Sequence, residues 1–156
     1  MTTVYMLSGM PASGKSTYVN DNLAGIPVVS TDAYIEEYAR LNNKTYNDVF
    51  LDVIKTATKR MNEFVDILVQ TETSFVWDQT NLSVKSRKAK LDKIPKHWEK
   101  IAIYFHTPEE TEWQRRLNSR PGKTVPINIL KSMLKTIEIP TVVEGFFCVM
   151  EIPDNF

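Results

Sequence analysis

Short apolar runs recur along the 156-residue chain and alternate with longer stretches whose apolar positions follow a helical period. Each run is four to seven residues long, a length typical of strands buried on both faces of a sheet. The runs are residues 4–7, 27–30, 74–77, 101–105 and 146–152. Because buried strands that alternate with helices pair in parallel, the pattern predicts an α/β fold: a mainly parallel sheet of about five strands with helices on both faces.

The longest helical stretch is predicted to begin near Thr45, where the sequence TYND suits a capping box. Its apolar positions then return to one side of the helix, so we expect them in the core. They are Val49, Phe50, Val53, Ile54, Met61, Phe64, Val65 and Leu68.

Two further helix starts lie in the second half of the chain. Thr107 in TPEE is predicted to cap one helix, with Pro108 as its first residue and Glu110 three positions after the cap. Pro126 is predicted to open the other helix. The apolar side of that helix consists of Ile127, Leu130, Leu134 and Ile137.

The composition is that of an ordinary globular protein, with 42% hydrophobic and 24% charged residues. No apolar run approaches the ~20 residues of a membrane span and no signal-peptide pattern is visible, so we expect a soluble cytoplasmic protein. A single domain over residues 1–156 is predicted, with SRPGKT (119–124) as the flexible part of a small lid. Cys148 is the single cysteine and lies in an apolar run, which predicts a buried thiol without a disulfide or a catalytic role.

Charge is distributed unevenly although the formal net charge is zero. Residues 85–135 hold 13 lysines and arginines against 5 acidic residues, and the rest of the chain has the opposite excess. Such a segment is usually a solvated face, but beside a phosphate site it could hold a polyanionic substrate.

The sequence GMPASGKS at residues 9–16 directly follows the first predicted strand and precedes a helical run. It fits the pattern G-x-x-x-x-G-K-[ST], in which glycines let backbone N–H groups turn toward phosphate oxygens at a helix N-terminus. Lys15 is expected to reach the β- and γ-phosphates, and the Ser16 hydroxyl to coordinate Mg²⁺. The sequence therefore predicts a nucleoside-triphosphate site that uses ATP and Mg²⁺. The residues expected to bind the nucleotide are Gly9, Ala12, Ser13, Gly14, Lys15, Ser16 and Thr17.

Two aspartates follow later strands and are candidates for the acceptor side of the site. Asp32 comes just after the second strand, at the carboxyl edge of the sheet where ligands of such folds collect. There it could be a general base that accepts the proton of an attacking hydroxyl, or simply a helix N-cap. Asp78 ends the third strand and could hold Mg²⁺ through water or orient the phosphate loop, the alternative being a strand-end turn.

Arg116 and Arg120 are four residues apart near the end of the helix that Thr107 is predicted to begin, which would put them on one face. The following PGK is expected to act as a hinge, so that the arginines could swing over the γ-phosphate and stabilise its oxygens. Surface arginines at a helix C-terminus are the alternative.

Four motifs resemble, in this order, the P-loop polynucleotide 5′-hydroxyl kinases over nearly the whole chain: GMPASGKST, STDAY, DQTNL and RLNSRPGKTVPINILKSM. The resemblance implies a P-loop kinase fold in which Lys15 and Ser16 bind ATP and metal and Asp32 is the general base. It also implies site residues on the acceptor and lid sides. These are Asp78, Asn81 and Arg87 for substrate binding, Arg116 for the nucleotide and Arg120 for catalysis.

One position departs from the family pattern, because the family has an arginine three residues after the general base and this chain has Ile35. A lost guanidinium should weaken binding of a nucleic-acid end by about 1.5–3 kcal/mol unless another cation replaces it, and Lys85 and Arg87 are the candidates. No second acidic motif of a phosphatase is visible, so a phosphatase or ligase activity is expected from a separate partner.

The sequence thus predicts an ATP-dependent kinase that transfers the γ-phosphate to a hydroxyl, with the 5′-OH end of DNA or RNA as the expected acceptor. A small-molecule or sugar-nucleotide kinase of the zeta-toxin type shares the phosphate loop and the aspartate after the second strand, and zero net charge and Ile35 favour it. A nucleotide-dependent binding module without transfer would keep Lys15 and Ser16 but would not need Asp32.

Overall fold

The computed structural model describes residues 1–154, which contain five strands and six α-helices. The strands are β1 (Thr3–Gly9), β2 (Val28–Val29), β3 (Phe75–Trp77), β4 (Glu99–Phe105) and β5 (Cys148–Ile152). The helices are α1 (Lys15–Asn22), α2 (Asp32–Leu41), α3 (Tyr46–Gln70), α4 (Val84–Leu91), α5 (Glu110–Asn118) and α6 (Ile127–Lys135). A 3₁₀ turn at Val142–Glu144 precedes β5.

All five strands are parallel, and their order across the sheet is β2-β3-β1-β4-β5. The central strand β1 pairs with β3 on one side and with β4 on the other, and its pairing with β4 runs from Thr3 opposite Glu99 to Gly9 opposite Phe105. Because the strands are parallel, the ends of β1, β2 and β3 lie at the same edge of the sheet. The predicted parallel five-strand α/β fold is confirmed.

Helices cover both faces of the sheet because successive strand residues point to opposite sides. Met6 packs in a cluster with Met61 and Val65 of α3 on one face. Its neighbour Leu7 packs with Val19 of α1 on the other face. All of these side chains are buried, so the sheet is the middle layer of three.

The start of α3 is the predicted capping box. The Asp48 N–H donates to the Thr45 hydroxyl at 3.3 Å, and the Thr45 N–H donates to the Asp48 carboxylate at 2.9 Å. The predicted core positions are confirmed for Val49, Val53, Met61, Val65 and Leu68. Phe64 is 39% exposed, and Phe50 and Ile54 are half-buried, because they flank the buried stripe rather than lie on it.

The predicted cap of α5 is wrong. Glu109, not Thr107, is the N-cap, and its carboxylate accepts hydrogen bonds from the N–H groups of Thr111 and Glu112. The chain is still paired with the sheet at His106, whose N–H donates to the Ile152 carbonyl at 3.0 Å, so the helix begins later.

The structure places α6 directly after Pro126, as predicted, but only Leu130 on its apolar side is buried. Ile127 is 62% exposed and Leu134 is 38% exposed, so the predicted apolar side is not packed along its length. Cys148 is half-buried in the edge strand β5 rather than fully buried.

The last two residues of the predicted 1–156 domain lie outside the described part of the chain. No helix among residues 1–154 is long and apolar enough to cross a membrane.

Candidate functional site

A cleft of about 550 Å³ opens at the carboxyl edge of the sheet, between the phosphate loop after β1 and the segment that follows α5. Five cationic and three acidic side chains line it. The cations are Lys15, Arg115, Arg116, Arg120 and Lys123, and the acids are Asp32, Asp78 and Glu112. The excess of positive charge suits a polyanionic ligand.

Two residues of the phosphate loop adopt left-handed backbone conformations, Ala12 with φ 61° and Gly14 with φ 97°. Gly14 is the N-cap of α1, so the free N–H groups of the helix start where the loop ends. Ser16 and Thr17 lie in this first turn and line the cleft. The loop therefore has the backbone arrangement that phosphate binding requires.

The ammonium of Lys15 lies under the phosphate loop. Its Nζ donates hydrogen bonds to the carbonyl oxygens of Gly9 at 3.0 Å and Met10 at 2.8 Å. Burial lowers the pKa of Lys15 to about 8, and the nearby carboxylates of Asp78 and Asp32 oppose this shift. An anion placed beside the ammonium would favour its charged form.

Two predicted nucleotide-binding residues, Gly9 and Ser13, do not line the cleft. A Cβ added to Gly9 would lie 2.9 Å from the Phe105 Cβ and 2.9 Å from the Ser13 Oγ, so packing against β4 and the loop requires glycine there. Ser13 is buried, and its Oγ has no hydrogen-bond partner among the described residues. Ala12, Gly14, Lys15, Ser16 and Thr17 do line the cleft, and their binding of the nucleotide stays a prediction.

Asp32 is the first residue of α2, and Thr31 rather than Asp32 is the N-cap. Its Oδ1 accepts a hydrogen bond from the Tyr46 hydroxyl at 2.7 Å, and its Oδ2 accepts one from Lys123 Nζ at 3.1 Å. The Asp32 side chain is 51% exposed, so the carboxylate is oriented by two donors and still open to the cleft.

Tyr46 and Lys123 are site residues that the sequence reasoning missed. Burial, followed by the hydrogen bond to Asp32, raises the pKa of Tyr46, so the phenol stays protonated and donates. Lys123 also binds the Glu36 carboxylate at 2.6 Å and lies 4.8 Å from the centre of the Tyr46 ring. In the sequence, the position of Lys123 in PGK of the lid is a feature that could have identified it as a site residue. Tyr46 lies in the capping motif, and no separate feature of the sequence identifies it.

Asp78 follows β3 and lines the cleft. Its N–H donates to the Val29 carbonyl at 2.8 Å, which ties together the ends of β3 and β2. Burial raises the pKa of the Asp78 carboxyl, and the charge of Lys15 opposes that shift. A nearby cation stabilises the ionised form of a largely buried carboxylate such as that of Asp78.

Arg116 and Arg120 both line the cleft, but they are not on one helix. Arg116 lies on α5 and Arg120 lies beyond the end of α5 at Asn118, so the predicted shared face is wrong. Arg116 Nε donates to Glu112 at 2.9 Å, whereas Arg120 Nε is buried and has no partner among residues 1–154. α5 is tied to the phosphate loop through Trp113, whose Nε1 donates to the Pro11 carbonyl at 2.8 Å.

Asn81 and Arg87 do not line the cleft, and their role in substrate binding stays a prediction. Asn81 is 2% exposed, and its Nδ2 donates to the Leu7 carbonyl at 2.7 Å. Arg87 is fully buried, donates to the Asn81 carbonyl at 2.8 Å and forms two hydrogen bonds with the Glu144 carboxylate, at 2.8 and 3.1 Å. Both residues brace the loop after β3.

The two cations predicted to replace the missing arginine are elsewhere. Lys85 is exposed and does not line the cleft, and Arg87 forms an ion pair with Glu144. Ile35 itself is fully buried in the cluster between α2 and α3. Of the basic segment 85–135, the cations that line the cleft are Arg115, Arg116, Arg120 and Lys123.

The side chains of the cleft fit a nucleotide with its metal. The cations and the N-terminus of α1 offer donors for phosphate oxygens, and Ser16 and Asp78 offer oxygen ligands of the kind Mg²⁺ prefers. Among residues 1–154 no group of three or more His, Cys, Asp or Glu side chains forms a ready metal site. A Mg²⁺ ion bound with a nucleotide usually takes much of its coordination from phosphate and water oxygens.

A parallel sheet in this strand order, with a phosphate loop after its central strand and carboxylates after β2 and β3, defines a P-loop kinase fold. Residues 4–140 match the sequence model of the AAA domain family AAA_33. The chain belongs to this family.

The resemblance to polynucleotide kinases is also confirmed. The chain is 30% identical over 155 residues to the bifunctional polynucleotide phosphatase/kinase of Schizosaccharomyces pombe, covering 96% of this chain and 33% of that protein. The chain thus spans about a third of the relative's length.

Many solved structures share the fold, among them a chain of an RNA repair complex and a sugar kinase. The Pnkp1/Rnl/Hen1 RNA repair complex includes a chain with a TM-score of 0.65 and 20% identity, covering 87% of this chain and 44% of that one. An unliganded sugar kinase from Janibacter has a TM-score of 0.66 and 18% identity, covering 100% of this chain and 87% of that one.

Proposed function

We propose that this P-loop kinase transfers the γ-phosphate of ATP to the 5′-hydroxyl end of DNA or RNA. The observation that carries the proposal is the position of Asp32. Its carboxylate faces the same cleft as the phosphate loop and is oriented by Tyr46 and Lys123. A phosphate loop alone would serve any nucleotide-binding protein, but an oriented carboxylate opposite it suits a reaction in which a hydroxyl loses its proton.

The donor side of the proposed reaction is formed by the phosphate loop and the lid. Lys15 and the N–H groups at the start of α1 bind the β- and γ-phosphates, and Arg116 and Arg120, which line the same cleft, stabilise the oxygens of the γ-phosphate. Ser16 and Asp78 are the residues that would hold Mg²⁺. When bound, the metal offsets the charge that develops on the transferred phosphate.

The acceptor side of the proposed reaction depends on Asp32, which accepts the proton of the attacking hydroxyl. The cationic excess of the cleft and the similarity to the fission yeast enzyme support a polynucleotide as acceptor. The Pnkp1 chain is part of a complex with Rnl and Hen1. Because a similar chain is found in such a complex, we also propose a separate phosphatase or ligase partner for this protein.

The decisive experiment incubates the protein with γ-labelled ATP and Mg²⁺ and a panel of acceptors: 5′-OH DNA, 5′-OH RNA, 5′-phosphorylated controls, sugars and shikimate. Label should appear on the 5′-OH oligonucleotides and not on the phosphorylated controls. Label on a sugar or another small hydroxyl compound alone would replace the polynucleotide with a small-molecule acceptor. ATP binding without label on any acceptor would contradict the transfer reaction itself.

A further inference from the structure

The lid segment, residues 119–124, is docked on the start of α3 by a joint that centres on Asn47. The Asn47 N–H donates to the Gly122 carbonyl at 2.9 Å. The Asn47 side chain donates from Nδ2 to the Thr124 hydroxyl at 2.7 Å and accepts from the Thr124 N–H at 3.2 Å. The contact thus has three hydrogen bonds, two of which use the lid backbone.

Gly122 makes this close approach sterically feasible. Its φ is 68°, in the left-handed region, and an added Cβ would lie 2.5 Å from the Thr45 Cβ. No side chain fits there without displacing the lid. The glycine and Asn47 together therefore specify where the next residue, Lys123, must lie.

The docked lid inserts Lys123 between the acidic residues of α2. Its Nζ is 3.1 Å from Asp32 Oδ2 and 2.6 Å from Glu36 Oε1, and it lies over the ring of Tyr46. The Lys123 side chain is only 22% exposed, so the ammonium is largely enclosed by these partners. Such an ammonium attracts the neighbouring carboxylates more strongly than an exposed one would, because water screens the interaction less.

Asp32 is therefore held from two directions, by Tyr46 from α3 and by Lys123 from the lid. Each carboxylate oxygen accepts one hydrogen bond from these donors, which defines the plane of the carboxylate. Within α2 itself, Ile35 supplies no polar contact, because it is fully buried among apolar side chains.

We propose that Lys123 is a positioning residue for the Asp32 carboxylate and that Asn47 is the joint that brings it there. The inference rests on the proposed function. Residues 116–123 then act on both halves of the cleft, with Arg116 and Arg120 on the nucleotide side and Lys123 on the acceptor side. Activation of the acceptor hydroxyl consequently requires a docked lid.

The first test replaces Lys123 with Met, which keeps the length of the side chain and removes its charge. Loss of orientation at a reacting group commonly costs about 10- to 100-fold in rate, so kcat for phosphate transfer should fall by about that factor. Affinity for a non-hydrolysable ATP analogue should stay within about twofold, because Lys15 and the phosphate loop are untouched. Lys123→Arg should recover most of kcat, and Lys135→Met, an exposed lysine at the end of α6, should change nothing.

The second test, Asn47→Ala, leaves every charge in place and removes two hydrogen bonds of the joint. kcat should fall in the same direction, whereas Asn20→Ala on the exposed side of α1 should leave it unchanged. Because Asn47 acts through Lys123, Asn47→Ala should add little to the loss already caused by Lys123→Met. Additive losses would contradict the joint.

The outcomes separate the inference from the proposed function. An active wild type with an unchanged kcat in Lys123→Met, or a lower melting temperature with normal kcat, overturns the positioning role alone. An equal loss in Lys123→Arg also overturns it, because the charge would then not be what matters. A wild type that labels no acceptor overturns the proposed function, and the positioning role falls with it.

Discussion

Lys15 illustrates how a single residue links burial to ligand binding. With a pKa lowered to about 8 by burial, the free protein holds a mixture of charged and neutral Lys15 at pH 8. Binding to phosphates requires the charged form. ATP binding near that pH should therefore be accompanied by proton uptake, and ATP affinity should fall as the pH rises above about 8.

The uptake is measured by titration calorimetry in buffers of different ionisation enthalpy. It should vanish near pH 6.5, where Lys15 is already charged, and it should be absent in Lys15→Met, which should also bind ATP more weakly. Equal uptake in the Met variant would assign the proton to another group.

Asp32 is the residue on which the proposed transfer to a hydroxyl depends. Asn at this position keeps the size and can still accept a hydrogen bond from Tyr46, but it cannot take the proton of an attacking hydroxyl. Asp32→Asn should lower kcat by about 10²- to 10⁴-fold with ATP affinity unchanged. Its effect on stability should be small, because the ion pair with Lys123 is half exposed on the Asp32 side and such pairs contribute at most about 1 kcal/mol.

Single-turnover transfer, equilibrium ATP binding and thermal unfolding of the same preparation test this prediction. Turnover within a few-fold of wild type, whatever the melting temperature, would remove Asp32 from the reaction and favour a binding module.

At the scale of elements, Arg87 joins α4 to the turn before β5. Its ion pair with Glu144 is buried on both sides, with side-chain exposures of 0% and 8%. Removing one partner of such a pair leaves an uncompensated buried charge, so Arg87→Met should lower the free energy of unfolding by about 3–5 kcal/mol. Denaturant unfolding measures this loss.

Arg60→Met is the matched control, because its ion pair with Glu63 is exposed and should contribute less than about 1 kcal/mol. A change in the KM for the acceptor without a loss of stability in Arg87→Met would instead support a role in substrate binding.

Element boundaries could be predicted from the sequence where a local interaction decides them. The capping box of α3 needs only Thr45 and Asp48, which are three residues apart. The start of α5 could not be predicted in this way, since Thr107 and Glu109 can both cap a helix. Pairing of His106 with the sheet keeps the chain extended there and leaves the capping to Glu109.

At the scale of the whole molecule, positive charge is concentrated at one place, the cleft. The cleft collects five cations although the formal net charge is zero. For a polynucleotide acceptor, the KM should therefore rise with salt, with a log-log slope of about 0.7 per phosphate contacted for single strands. The KM is measured for a 5′-OH oligonucleotide between low and moderate salt.

A nucleoside 3′-phosphate is the matched acceptor, because it carries the same 5′-hydroxyl with few charges and should show a much smaller slope. Equal slopes for the two acceptors would mean that the protein contacts only the terminal nucleotide.

The sequence by itself determined the strands, the phosphate loop and the placement of Asp32 and Asp78 at strand ends. Each of these depends on residues that are contiguous or a few positions apart, and apolar periodicity reports which faces are buried. Only the tertiary structure decided that Arg87 is a brace, that Ile35 is core and that Lys123 meets Asp32. Lys123 and Asp32 are 91 residues apart, and Arg87 and Glu144 are 57 apart. The sequence around a polar residue does not indicate which distant residue its side chain will contact, because that contact depends on how helices and loops pack on the finished sheet.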